Sequence, residues 1–104
     1  MSERKKLLEI VEKLNEKHIN DFPNIEEPVL VTVKTNEGDI TFKVSKNGIK
    51  EETDNNIKNQ IILSFKDLEK IEKNKKLVLK YAMSGKIKLK GNIKKLISAI
   101  QNIF

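Results

Sequence analysis

The sequence predicts an α+β fold, one domain built from five strands and four helices. Three observations carry this. Residues 2–19 repeat apolar positions every three or four residues, as an amphipathic helix does. Residues 29–65 alternate apolar and polar side chains between turn signals, as strands do. Residues 77–104 read as helix, strand and helix separated by Gly85 and Gly91. At 104 residues the chain is long enough for one core and too short for two.

Each element follows from local chemistry. Ser2 is a predicted cap for a helix to about Ile19, with Leu7, Val11, Leu14 and His18 in one stripe and Leu8 beside it. His18 closes that stripe as a partly buried or solvent-edge side chain rather than as a ligand or base. Asp21-Phe22-Pro23-Asn24 breaks the helix, so residues 1–22 form an N-terminal helical unit ahead of a core over 29–104. Val29, Val31 and Val33 then share one strand face, Asn36-Glu37-Gly38-Asp39 turns, and Ile40, Phe42 and Val44 share the face of the next strand. Lys46-Asn47-Gly48 is a second tight turn, read with positive φ at Asn-Gly, and leads into a short strand over Ile49 to Glu52.

Thr53 to Lys58 reads as polar loop and Asn59 to Phe65 as a fourth strand, apolar on both faces and therefore interior to the sheet. A short helix opened by Ser64 or Lys66-Asp67 holds Leu68 and Ile71 and ends near Asn74, a residue suited to a left-handed helix end. Leu77 to Met83 is a second short helix, apolar almost all round, which predicts contact on more than one side. Gly85 ends it. Lys86 to Lys90 is a strand with Ile87 and Leu89 on one face and three lysines on the other, a pattern suited to a sheet edge. Gly91-Asn92 turns and caps a last helix striped by Ile93, Leu96, Ile97, Ile100 and Phe104.

The composition narrows function. The longest apolar runs are far shorter than the roughly 20 residues of a membrane span. The charged start has no secretory character, and the absence of cysteine removes disulfides, thiolate metal sites and thiol nucleophiles; a cytoplasmic protein is expected. The formal charge of +6 is lopsided: Met1 to Glu52 carries nine bases and eleven acids, whereas Thr53 to Phe104 carries twelve and four. Lysines on solvated faces, from an overall compositional bias, account for much of this; beyond that it favours an anionic surface, lipid headgroups before nucleic acid, because exposed aromatics for base stacking are lacking. No nucleophile with a base, carboxylate pair, metal cluster or phosphate loop is visible, so no enzyme and no cofactor are expected.

Ala82-Met83-Ser84-Gly85-Lys86-Ile87-Lys88-Leu89-Lys90-Gly91-Asn92, with the Lys-Asn-Gly turn inside Asp39 to Lys50 and the run Ile61 to Ile71, resembles the sterol-carrier-protein type-two family of lipid-transfer domains. The resemblance implies a five-stranded, mostly antiparallel sheet with helices packed on one face. It also implies a cavity between sheet and helices that binds a fatty acyl, isoprenoid or sterol-like lipid without covalent chemistry. By position, the implied lining is Phe65, Leu68, Ile71, Leu79, Ala82, Met83, Leu96, Ile97 and Ile100. The chain departs from the family where a glycine commonly closes the first short helix and Asn-Pro opens the second: here stand Asn74 and Leu77-Val78. A protein-interaction or homodimerisation module without ligand is the alternative expectation.

Overall fold

The computed structural model describes residues 2–104. Four helices, α1 (Glu3–Lys17), α2 (Phe65–Lys73), α3 (Leu77–Met83) and α4 (Ile93–Ile103), pack against five strands, β1 (Val29–Thr35), β2 (Gly38–Ser45), β3 (Gly48–Glu51), β4 (Gln60–Ser64) and β5 (Lys88–Lys90). The strand order is β3-β2-β1-β4-β5, antiparallel except for the central β1–β4 pair, which is parallel. The sheet is thus mixed and mostly antiparallel, with β4 inside it and the lysine-bearing β5 at one edge.

Register shows which face the helices cover. Val29, Val31 and Val33 lie opposite Val44, Phe42 and Ile40 across β2, and Val31 and Val33 opposite Ile61 and Leu63 across β4. Ile49 joins this inner face through Val44, and Leu89 through Ile61. These side chains meet Leu7, Ile10, Phe22, Leu68, Ile71, Val78, Leu96 and Ile100 in one core cluster, driven by removal of apolar surface from water. The outer face is more polar; there Thr32 and Thr41 pair their hydroxyls at 3.0 Å.

Caps fix the helix starts. Ser2 Oγ accepts from Lys5 N, Ser64 Oγ from Asp67 N, and Asn92 Oδ1 from Lys95 N, each satisfying an otherwise orphaned donor of a first turn. Because Ser64 is the second of these caps, Phe65 is the first residue of α2 and not the last of the fourth strand.

Several local expectations are corrected. Asn47 does not take positive φ; Gly48 does, at +97°, as Gly38 does at +108° in the preceding turn, so each hairpin places its strained residue on glycine alone. Asn74 is extended (φ −148°, ψ 91°) rather than left-handed, and its N–H still closes α2 on Lys70 O and Ile71 O. Lys86 precedes β5 instead of belonging to it, and its N–H donates to Tyr81 O as the chain leaves α3. Ile57, within the expected polar loop, is buried, whereas Leu8 and Ile93, expected on packed stripes, are exposed. The α1 stripe buries Ile10 instead of Leu8. The protein itself packs on one side of α3: Val78 and Tyr81 are buried and Leu79 and Met83 face outward.

Candidate ligand site

A recess of about 830 Å³ opens between the inner sheet face and the two long helices α1 and α4. Its floor is Val29, Val31, Val33, Phe42, Val44, Ile61 and Leu63; its walls are Leu7, Ile10, Val11 and Leu14 from α1 and Leu96, Ala99, Ile100, Ile103 and Phe104 from the chain's end. β1 is the central strand, the position where inner-face side chains are normally covered best. Val33 is indeed 1% exposed, yet Val29 and Val31 on the same face remain only half-buried, as do Val11, Leu14 and Ile103 around them. The helices leave this half of the sheet incompletely covered.

Polar groups gather at the rim. His18 Nε2–H donates to Ile103 O at 2.6 Å, tying the end of α1 to the end of α4, while Nδ1 lies 2.9 Å from Asp21 Oδ2. The ring is therefore a partly buried brace, as its place at the end of the α1 stripe suggested. At another point of the rim Asn59 Nδ2 donates to Glu27 Oε2 and Asn59 Oδ1 accepts from Asn92 N, joining the β1 approach, the β4 approach and the α4 cap. Lys94 and Lys95 complete the rim. Deeper in, no polar or charged residue is buried among the described residues, and no buried side-chain polar atom lacks a partner. The buried part of the recess can hold apolar matter by contact and desolvation, and its polar groups stand where solvent reaches them.

Of the nine residues implied as lining, Leu68, Leu96 and Ile100 stand on this recess. Phe65 and Ile71 are sealed in the core, Ile97 packs half-buried against it, and Ala82 is half-buried on α3. Leu79 and Met83 are exposed. The α1 and β1 contributions went unnamed at the level of sequence, although one signal was present: the inner-face valines of β1 and the α1 stripe must share whatever lies between them.

Residues 2–104 match the family model described as the SCP-2 sterol transfer family. The chain belongs to this family. Among solved structures, sterol carrier protein 2 like 2 from Aedes aegypti superposes with a TM-score of 0.76 at 17% identity, over 97% of this chain and 98% of that one. A solution structure of palmitated SCP2L2 from the same organism has a TM-score of 0.77 at 16% identity, over 99% and 95%. The apo form of sterol carrier protein 2 from Yarrowia lipolytica has a TM-score of 0.68 at 19% identity, over 90% and 82%. At such identities the likeness is one of fold. Among curated protein sequences none matches this chain. The SCP-2 family match includes the first helix and so takes in the helix that walls the recess.

Proposed function

We propose that this SCP-2 family member binds, and can pass on, a lipid or similar apolar molecule held without covalent chemistry between the inner sheet face and helices α1 and α4. The observation that carries the reading is the partial exposure of Val29 and Val31 on the inner face of the central strand, above which the recess lies. Leaving apolar side chains of a central strand uncovered forgoes roughly 25 cal/mol per Å² of burial, a cost that a bound acyl or isoprenoid chain removes. The volume of about 830 Å³ falls within the range of small-molecule sites. A fatty acyl chain is the first cargo to test, because a relative of the same fold has been solved in palmitated form.

The test is titration of a fluorescent fatty acyl probe followed by displacement with unlabelled lipid. Micromolar or tighter, competable binding is expected. Ala99→Trp, which fills the recess from a half-buried position on α4, should weaken it at least about tenfold while the circular dichroism spectrum is unchanged. Absence of binding across fatty acids, isoprenoids and sterols would overturn the reading. Native mass spectrometry of the purified chain separates it from the alternative: a retained apolar molecule supports carriage, whereas a ligand-free dimer supports an interaction module.

A further inference from the structure

From Lys73 to Phe104 the chain holds nine lysines and no aspartate or glutamate. All nine are exposed, and among the described residues none of them forms an ion pair with a carboxylate. The other long surface helix near the recess behaves differently: α1 interleaves Arg4, Lys5, Lys6, Lys13 and Lys17 with Glu3, Glu9, Glu12 and Glu16, and its charges nearly cancel.

Within the basic segment α3 presents two large apolar side chains to solvent. Leu79 is 48% exposed and Met83 81% exposed. They are four residues apart and so stack on one ridge of the helix, while Lys76 at the N-cap and Lys80 lie beside that ridge. Gly85, at φ +80°, turns the chain back, and Lys86 lies with its Nζ 4.7 Å from the centre of the Tyr81 ring, against α3. An apolar ridge is thus flanked by lysines with no acidic residue on the element.

We propose that this face, Leu79 and Met83 flanked by Lys76 and Lys80, docks the protein on an anionic bilayer surface. Both halves of the feature have a partner there: headgroup phosphates and carboxylates for the ammonium groups, and the acyl boundary for the two apolar side chains. A polynucleotide satisfies only the charge, because the aromatic ring within reach, Tyr81, is buried and cannot stack on a base. A second copy of the face is excluded by repulsion between identical lysine clusters. Docking needs no occupied recess, so this inference and the carriage reading fail independently.

Co-sedimentation of the full chain with vesicles tests it, comparing pure phosphatidylcholine with phosphatidylcholine containing about 30% phosphatidylserine. Partitioning onto the anionic vesicles should exceed that onto neutral ones at least about tenfold and collapse at about 0.5 M salt. Lys76→Glu with Lys80→Glu should lower it at least about tenfold, and Leu79→Ser with Met83→Ser about three- to tenfold. Lys6→Glu with Lys13→Glu on α1, an equal change of net charge, should change it less than about twofold. All these side chains except the half-buried Lys6 are exposed, and unchanged circular dichroism verifies the fold. The proposal is overturned if anionic vesicles are not bound, if the α1 pair is as damaging as the α3 pair, or if the serine pair has no effect. It is also overturned if an oligonucleotide binds more tightly than the vesicles in a manner indifferent to that serine pair, which would mark general polyanion binding.

Discussion

Ser2, Arg4 and Glu37 show how much of the entry into α1 is held by one carboxylate. Glu37 Oε1 accepts from Ser2 Oγ at 2.6 Å and from Arg4 N at 3.1 Å, and Glu3 returns the contact by accepting from Asn36 N. The Ser2 hydroxyl and then the Arg4 amide hold the Glu37 carboxyl below the usual carboxylate range. A depressed folded-state pKa contributes stability above the unfolded value, and that contribution is lost as pH falls from about 4.5 through the folded value. Urea denaturation at pH 7 and at pH 3 should therefore show wild type ahead of Glu37→Gln at the higher pH and with a smaller lead at the lower. Two glycines make a second comparison. Gly91 (φ +108°) and Gly85 (φ +80°) both need left-handed backbone, but a Cβ at Gly91 would collide with Asn59 Oδ1, whereas space at Gly85 is open. Gly85→Ala should cost about 1 kcal/mol and Gly91→Ala about 2–3 kcal/mol, read from denaturation midpoints. Their value as backbone hinges is legible in sequence; the collision with Asn59 is not, because the two residues approach only when β5 pairs with β4.

Among the elements, β3 is held by α1 as well as by β2. Asn15 Oδ1 accepts from Ile49 N at 2.8 Å and Asn15 Nδ2 donates to Ile49 O at 3.0 Å, so a helix side chain takes the place of a further strand at this sheet edge. Asn15→Ala should remove both bonds at a cost of about 2 kcal/mol and raise amide exchange across Gly48 to Glu51, with little effect on β4. The opposite edge, β5, is guarded by lysines instead. The lysine guard could be read from the alternation around Ile87 and Leu89; the asparagine guard could not, since one polar residue in a helix carries no sign of a partner 34 positions away. The same contrast explains α3. Its bounds, Leu77 to Met83, agree with the apolar run, yet apolar composition alone does not reveal that Val78 and Tyr81 satisfy the packing and leave Leu79 and Met83 outside. The family's cavity lining carried across by position names residues on α2, α3 and α4; the recess takes Leu68 from α2, Leu96 and Ile100 from α4, and adds α1 and the sheet, because helix placement and not helix order decides which side chains face a space.

For the molecule as a whole, the core and the recess are two kinds of apolar environment and should answer mutation differently. Ile71, fully enclosed, should lose about 2–5 kcal/mol when truncated to alanine. Val31, whose side chain already borders open space, should lose about 1 kcal/mol or less by the same denaturation measurement, and its truncation should change probe affinity more than stability. The parallel β1–β4 junction has a consequence for how such a molecule assembles. β1 to β3 form from neighbours in sequence, as a meander, while Leu30 must find Gln60 across a long intervening stretch before the sheet is whole. Contacts of that separation are slow to form. The recess floor straddles this seam, with Val31 on one side and Ile61 on the other. The recess is therefore expected to close late in folding, and refolding in the presence of an acyl lipid should accelerate or complete the last kinetic phase, the stage at which an empty space first acquires a second wall.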